Sequence, residues 1–208
     1  MEKTEVHKAV SFADLAPSHD MQRAIGDLGF EEQTPIQSLA TPVIRSGRDV
    51  IGQAHTGTGK TAAYGIPLLE KVDPRARAIQ ALVLCPTREL ALQVSEELTK
   101  LARYRRGIAI RPVYGGQSME RQLSVLARGV QVVIATPGRL LDHIRRRSIS
   151  LGSVRYVVLD EGDVMLDMGF IEDIEAILRE TPVNRQTVLF SATVPDAILD
   201  LSRRYMRD

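Results

Sequence analysis

The chain has 208 residues, of which 44% are hydrophobic and 25% are charged, and its formal net charge is +1. This composition is typical of a globular chain with a hydrophobic core, and it excludes a disordered, collagen-like or coiled-coil protein. A single Cys excludes an internal disulfide and a Cys-rich zinc site. Because no long apolar run and no signal-peptide pattern occur, we expect a soluble, monomeric, cytoplasmic protein with no membrane segment.

Short runs rich in Val, Ile and Leu alternate with helical patterns along the chain. The helical pattern is clearest in residues 88–104, where Leu90, Val94 and Leu98 recur every four residues. Near-continuous apolar strands are expected where helices cover both faces of a parallel sheet. We therefore predict an α/β fold with an open, mostly parallel sheet, helices on both faces, and ligands at the carboxyl ends of the strands. The predicted strands are residues 49–53, 80–85, 108–114, 131–135, 154–160 and 186–191.

The first predicted strand leads into a glycine-rich loop that precedes a helical run. Such a loop lets backbone N–H groups surround phosphate oxygens, with the positive end of the next helix behind them. Lys60 would reach the β and γ phosphates, and the Thr61 hydroxyl would hold Mg²⁺. The general pattern has Gly where this chain has Ala54, and the alternative is a turn that binds nothing. The loop is Ala54-His55-Thr56-Gly57-Thr58-Gly59-Lys60-Thr61.

A second chemical signal, Asp160-Glu161-Gly162-Asp163, begins at the last residue of the fifth predicted strand. A carboxylate at the end of a hydrophobic strand, in a chain with a phosphate loop, is the usual second anchor for Mg²⁺. Asp160 takes that role here, and Glu161 can orient and deprotonate the attacking water. The alternative is an acidic helix N-terminus, since Asp and Glu favour first turns.

Three other predicted strand ends carry Thr, Gly and Arg in place of carboxylates. A helix N-terminus with Arg in its first turn attracts an anion, and three such places on one sheet edge would follow a string of phosphates. Each place taken singly also fits ordinary helix capping. Together they predict binding of a nucleic-acid backbone. The residues are Pro86, Thr87 and Arg88 after the second strand, Gly115 and Gly116 after the third, and Thr136, Pro137, Gly138 and Arg139 after the fourth.

These segments, in this order, resemble the motifs of the DEAD-box RNA helicases over essentially the whole chain. Gly29-Phe30 through Thr34-Pro35-Ile36-Gln37 is similar to the Q motif, with Phe12 as its upstream aromatic. Residues 54–61 are similar to motif I, including its Ala, and residues 86–91 to motif Ia. The remaining matches are Gly115-Gly116 to the GG motif, Thr136–Arg139 to motif Ib, Asp160–Asp163 to motif II, and Ser191-Ala192-Thr193 to motif III.

The resemblance implies a RecA-like domain over residues 11–208, after a flexible segment of residues 1–10, with ATP, Mg²⁺ and RNA as ligands. It implies ATP binding by Phe12, Phe30, Thr34 and Gln37, in which Gln37 reads the adenine and Phe12 stacks on it; the alternative for Phe12 is an ordinary core Phe. The Gln side chain suits the reading of adenine because it donates and accepts at once. It further implies that Asp163, Ser191 and Thr193 couple nucleotide to RNA. For Ser191 and Thr193, the alternative is a helix cap before Pro195.

In this family a second RecA-like domain brings the Arg residues that stabilise the transferring phosphoryl group. Nothing after Thr193 resembles that domain. We therefore expect these residues alone to bind nucleotide, hydrolyse ATP very slowly and unwind nothing, because an arginine finger contributes roughly 10³–10⁵ in rate.

Two residues depart from the family pattern: Gly162 stands where motif II has Ala, and Gln33 stands where Pro is common. We expect both departures to be tolerated. Two other functions stay open from the sequence, a stand-alone nucleotide-gated RNA-binding module and half of a related DNA helicase.

Overall fold

The computed structural model describes residues 11–12 and 18–207, so the predicted flexible segment 1–10 lies outside the described residues. Within this part of the chain, six strands form one sheet: β1 (Val50–Gln53), β2 (Ala81–Leu84), β3 (Ile110–Val113), β4 (Val132–Ala135), β5 (Tyr156–Asp160) and β6 (Gln186–Ser191). Every neighbouring pair is parallel, in the order β1-β6-β5-β2-β4-β3. The predicted open parallel sheet is confirmed.

The helices of the described residues are α1 (His19–Asp27), α2 (Pro35–Arg45), α3 (Lys60–Lys71), α4 (Arg88–Leu101), α5 (Met119–Leu126), α6 (Pro137–Arg145), α7 (Gly162–Asp167), α8 (Ile171–Arg179) and α9 (Asp196–Tyr205). Local sequence explains where several begin. The Thr87 hydroxyl accepts a hydrogen bond from the Leu90 N–H (3.2 Å) and so caps α4. Pro35 and Pro137 open α2 and α6, where their missing N–H costs nothing.

Helices cover the sheet on both faces, and alternate strand residues divide between the two. Val83, Val158 and Val188 pack into one buried cluster with α1, α2, α3 and α4. Their neighbours Leu82, Val157 and Leu189 belong to the other cluster, with α6, α7, α8 and α9. This two-sided burial explains why the strands read as continuous apolar runs instead of an alternating pattern.

The structure shortens several predicted elements at their ends. The third predicted strand, residues 108–114, pairs only over Ile110–Val113, and the helix predicted over residues 88–104 ends at Leu101. Beyond Leu101 the chain continues in tight turns, in which the Arg103 and Arg105 N–H groups bond the carbonyls of Lys100 and Ala102. Helical periodicity does not register this change, because Ala102 is still buried and Arg103 and Tyr104 are polar, as they would be on a continuing helix. No helix in the described ranges combines the length and apolar character needed to cross a membrane.

Candidate active site

The phosphate loop runs from the end of β1 to the start of α3, as predicted. Gly59 immediately precedes α3 with φ +85°, a conformation that side-chain-bearing residues rarely adopt. Lys60 then forms the first residue of the helix and is only 6% exposed. The loop therefore places its lysine and the N–H groups of a helix N-terminus at one point, the arrangement that binds phosphate.

The start of α2 is hydrogen-bonded to the phosphate loop. The Thr34 hydroxyl donates to the Thr58 carbonyl (2.7 Å). The Gln37 amide accepts from the Thr34 N–H (2.9 Å) and donates to the Gly59 carbonyl (3.1 Å). These bonds leave Gln37 one N–H and one lone pair, so it retains the pair of groups that adenine recognition needs.

Asp160 ends β5 inside the protein, 2% exposed, beside the phosphate-loop lysine. Its Oδ1 lies 3.3 Å from Lys60 Nζ, and its Oδ2 accepts a hydrogen bond from the Tyr64 hydroxyl (3.0 Å). Burial raises the pKa of Asp160, while the Lys60 ammonium and the Tyr64 hydrogen bond oppose that rise. Burial, and then the Asp160 carboxylate, raise the pKa of Tyr64 well above its ordinary value, so the phenol stays a donor.

The donors around Asp160 fit a small divalent cation. Asp160 Oδ1 is buried and accepts no hydrogen bond of good geometry from the described residues, and the Thr61 hydroxyl belongs to the adjoining loop. No group of three or more His, Cys, Asp or Glu within residues 11–12 and 18–207 could hold a metal ion. One carboxylate and one hydroxyl beside a phosphate site is a typical arrangement for Mg²⁺, which takes its other ligands from water and phosphates.

Glu161 is one of the few non-glycine residues with positive φ in the described chain, at φ 58° and ψ 55°. This conformation costs on the order of 1 kcal/mol for a residue with a side chain, and such strain is concentrated at functional sites. The Glu161 carboxylate accepts a hydrogen bond from the Thr56 hydroxyl of the phosphate loop (2.7 Å). The strained turn thus directs the carboxylate toward the phosphate loop.

Asp163 connects the end of β5 with the segment after β6. Its carboxylate accepts hydrogen bonds from the Thr193 N–H (2.8 Å) and hydroxyl (3.0 Å), and its N–H donates to the Ser191 hydroxyl (2.9 Å). Burial alone would raise the pKa of Asp163, but the hydrogen bonds from Thr193 and Ser191 lower it below its usual value. The carboxylate therefore stays ionised and keeps the two segments joined. Thr193 does not cap α9, whose N-cap position is Pro195.

Gly162 begins α7 in a place with room for a side chain. A Cβ there would meet Ile198 Cδ1 and Leu189 Cδ2 at 3.5 Å, which is ordinary van der Waals contact. Gln33, the other departure, donates from Nε2 to the Ser11 carbonyl (2.6 Å) and so ties the segment before α2 to residues 11–12.

We expect Gly162→Ala to raise the free energy of unfolding by about 0.5–1 kcal/mol, because Ala loses less backbone entropy in a helix. We also expect it to change the RNA-coupled ATP hydrolysis that the family resemblance implies by less than about tenfold, because the predicted metal and base residues, Asp160 and Glu161, stay in place. Urea unfolding and steady-state ATPase assays, the latter with a second domain supplied, measure the two effects. Gly26→Ala in α1, where a Cβ meets nothing within 4 Å, is the matched control. A hundredfold loss of coupling would contradict this prediction.

A cavity of about 360 Å³ opens in front of the phosphate loop. Phe30 and Leu28 line it on one side, and α4 lines the other with side chains that the sequence did not suggest, among them Leu90 and Gln93. The lining includes eight of the predicted nucleotide-site residues: Phe30, Thr56, Gly57, Gly59, Lys60, Thr61, Asp160 and Glu161.

The remaining predicted nucleotide residues lie outside the cavity wall. Phe12 is 4% exposed and stacks on Phe30, with ring centroids 5.5 Å apart, so it supports the exposed ring from the core. Thr34 and Gln37 are hydrogen-bonded to the loop carbonyls of Thr58 and Gly59, as described above. Ala54 is buried, the His55 carbonyl accepts from the Thr58 hydroxyl (2.7 Å), and the His55 side chain is exposed.

The three segments predicted to bind a phosphate backbone lie side by side at the carboxyl ends of β2, β4 and β3, because these strands are neighbours in the sheet. We call this surface the RNA edge. The exposed Arg88 side chain lies over the Tyr114 ring, 4.9 Å from its centroid, directly before Gly115 and Gly116. Arg139 donates to the Gln117 carbonyl (2.9 Å), directly after those glycines. Pro86 and Pro137 are buried, Thr87 caps α4, and Thr136 and Gly138 are partly exposed at the start of α6.

The sequence did not predict the roles of two groups of side chains at these sites. Tyr64 follows Lys60 by one helical turn and reads as an apolar core position, yet its hydroxyl holds Asp160. Gln122 and His143 lie outside every motif and are buried together below the segments that follow β3 and β4. The sequence carried no signal for these contacts, because the burial that obliges a hydroxyl, an amide or an imidazole to find a partner is seen only in the structure.

Comparisons with known proteins agree with this arrangement. The sequence profile described as "DEAD/DEAH box helicase" matches residues 34–201. The chain is 54% identical, over 198 residues, to the DEAD-box ATP-dependent RNA helicase CshA of Geobacillus kaustophilus, covering 95% of this chain and 42% of that protein. For CshA of Bacillus subtilis the identity is 53% over 199 residues, covering 96% and 40%.

A crystal structure of a DEAD box protein from the hyperthermophile Methanococcus jannaschii superposes with a TM-score of 0.91 at 42% identity, covering 95% of this chain and 54% of that one. The predicted RecA-like fold is thereby confirmed. The chain spans about 40% of the length of the two curated relatives.

Proposed function

Because this chain belongs to the DEAD/DEAH box helicase family, we propose that it is the N-terminal RecA-like part of an ATP-dependent RNA helicase. In this proposal it binds Mg-ATP in front of the phosphate loop and part of an RNA backbone at the carboxyl ends of β2, β4 and β3. The observation that carries it is the convergence of Lys60, Asp160 and Glu161 on one cavity. The activity of the whole helicase requires a second RecA-like domain from outside these residues.

The proposed roles follow from the contacts of each side chain. Lys60 and the N-terminus of α3 bind the phosphates, and Phe30 packs against the base, with Gln37 reading its edge. Thr61 and Asp160 would hold Mg²⁺, which when bound neutralises charge on the β and γ phosphates. Glu161, aimed at the loop by its strained backbone, orients the attacking water and takes its proton.

The proposed RNA edge is supported by its supply of anion-binding groups. Arg88 is exposed, and the N–H groups of Arg88 and Glu89 in α4 and of Gly138 and Arg139 in α6 have no partner within their own helices, whereas Thr87 caps the Leu90 N–H and Pro137 has no N–H. Contacts of this kind bind phosphate and sugar and carry no base preference. Asp163 and its hydrogen bonds to Thr193 would then transmit the state of the nucleotide site to the rest of the enzyme.

Calorimetric titration of Mg-ADP and Mg-GDP, with Gln37→Ala as the comparison, tests the nucleotide site. We expect wild type to bind ADP and reject GDP, because Gln37 matches the donor and acceptor pattern of adenine. We expect the variant to lose that preference. Equal binding of both nucleotides by wild type would retain the phosphate loop and contradict adenine recognition. Failure to bind either would contradict nucleotide binding by these residues alone.

Tyr64→Phe tests how the proposed metal ligand is held. Without the hydroxyl, Asp160 Oδ2 loses its hydrogen bond and the carboxylate is free to turn. We expect the affinity for Mg²⁺ in the ADP complex to fall about tenfold, as when an outer hydrogen-bond partner of a metal ligand is removed. The affinity for ADP without Mg²⁺ should be unchanged. Titration of Mg²⁺ into the ADP complex measures the effect.

Tyr156→Phe is the matched control, because it removes the same atom from the opposite end of β5. Equal dependence on Mg²⁺ in the two variants would contradict a role for Tyr64 in holding Asp160.

A further inference from the structure

The side chain of Gln122 lies at the centre of a buried polar cluster under the proposed RNA edge. Gln122 is 4% exposed and His143 is fully buried. Gln122 Nε2 donates to the Tyr114 carbonyl (2.9 Å) and to Gln117 Oε1 (2.9 Å). Gln122 Oε1 faces His143 Nε2 (2.9 Å) and accepts from Arg139 Nη1 (3.3 Å). Both donors and both acceptor positions of the amide are therefore used.

The contacts of Gln122 determine its orientation and the tautomer of His143. A carbonyl can only accept and a guanidinium can only donate, so the amide nitrogen faces Tyr114 and the amide oxygen faces Arg139. His143 Nε2 must then carry a proton to bond that oxygen. Its Nδ1 is left as an acceptor, 2.8 Å from the Ser148 hydroxyl, whose single proton also faces the His143 carbonyl (3.0 Å). Burial, reinforced by the Arg139 charge, lowers the pKa of His143, which keeps the ring in this neutral form.

This cluster joins two segments that are separate in sequence. Tyr114 and Gln117 flank the Gly115–Gly116 turn, and one amide holds both of them. Arg139, in the first turn of α6, also bonds the Gln117 carbonyl (2.9 Å). His143 lies one turn further along α6 and holds the amide in place. The glycine turn and the N-terminus of α6 are thus fixed relative to each other by buried hydrogen bonds.

We propose that Gln122 and His143 are positioning residues that set the spacing between the Gly115–Gly116 turn and the N-terminus of α6 for contact with successive phosphates of single-stranded RNA. This inference rests on the proposed RNA-binding role of that edge. Neither residue touches RNA. They act through the backbone N–H groups of the turn and of α6, whose spacing must match that of the phosphates.

Two substitutions of His143 test the roles of its two ring nitrogens one at a time. His143→Gln places an amide nitrogen near the position of Nε2, so it keeps a donor toward Gln122. His143→Asn places its amide near Nδ1 and leaves Gln122 without that donor. We expect His143→Asn to weaken binding of an oligouridylate roughly fivefold, as for one lost buried hydrogen bond, and His143→Gln to stay within about twofold of wild type. Affinity for Mg-ADP should be the same in all three proteins.

The measurement is an NMR titration of the isotope-labelled chain with a single-stranded oligouridylate, following the amide signals of Gly115, Gly116 and Gly138. Gln122→Glu is a second variant, because it keeps the shape of the side chain while replacing the donor to Tyr114 with a repelling oxygen. It should weaken RNA binding like His143→Asn, and it provides the test if His143→Asn does not fold.

The outcomes separate this inference from the proposed function. If wild type binds the oligouridylate at these amides and both His143→Asn and Gln122→Glu bind equally well, the positioning role is overturned and the RNA edge stands. Parallel losses of RNA and ADP affinity indicate general destabilisation and also overturn the positioning role. If the wild-type amides do not respond to RNA, the proposed RNA edge fails, and the positioning role fails with it.

Discussion

ATP hydrolysis by these 208 residues alone is expected to be slower by a factor of roughly 10³–10⁵ than by the same residues joined to a second RecA-like domain. The site supplies the phosphate loop, Asp160 and Glu161. However, the described residues that line the cavity include Lys60 and Lys100 and no Arg. In the proposed function, charge that develops on the transferring phosphoryl group would therefore meet no Arg among the described residues that line this cavity.

A chimera measures this factor. The chain is 54% identical to its Geobacillus relative over 198 residues, so the remainder of that protein, which the family resemblance implies carries the second RecA-like domain, is the partner we would join to it. Steady-state ATPase rates with saturating single-stranded RNA compare the isolated chain with the chimera. The Glu161→Gln chimera is the control for contaminating activity, because it removes the proposed base. RNA-stimulated hydrolysis by the isolated chain at the rate of the chimera would contradict the prediction.

The sequence predicted the parts of the site that lie within single motifs. Residues 54–59 form a loop between β1 and α3 because Gly57 and Gly59 adopt positive φ, and Lys60 starts the helix. Asp160 ends a strand because four apolar residues precede it. In each case the chemistry and the local conformation depend on residues adjacent in sequence, so both could be inferred together.

The sequence did not predict the contacts that hold those motifs in place. Tyr64 and Asp160 are 96 positions apart, and Gln122 and His143 are 21 apart. Each forms part of an apolar pattern or of a polar helix surface, and only the packing of the sheet brings the partners together. Gln37 illustrates the limit within a motif: its pattern indicates adenine recognition, whereas its hydrogen bond to Gly59 depends on how α2 meets the loop.

Gly59→Ala is expected to cause a large loss of nucleotide affinity, because it disturbs the hydrogen bond between Gln37 and the Gly59 carbonyl. An Ala at this position would keep φ at +85° only with strain, and its Cβ would lie 2.3 Å from Gln37 Nε2, far inside contact distance. Relief of the clash requires the Gln37 amide or the loop itself to move. Either movement breaks the hydrogen bond to the Gly59 carbonyl and displaces Lys60. We expect the affinity for Mg-ADP, measured by calorimetry, to fall by about a hundredfold or more, corresponding to roughly 3 kcal/mol.

Gly57→Ala distinguishes the effect of the clash with Gln37 from the effect of backbone strain at positive φ. Gly57 has nearly the same φ, +83°, but a Cβ there meets nothing within 4 Å. Within the protein its substitution therefore costs the strain of a left-handed Ala without a clash, about 1–2 kcal/mol, and we expect it to weaken Mg-ADP binding by roughly tenfold. If the two variants lose affinity equally, the hydrogen bonds between α2 and the loop make no contribution to nucleotide binding. A larger loss for Gly59→Ala would mean that the Q-motif glutamine acts on the phosphates through the loop, as well as on the base that it is proposed to read.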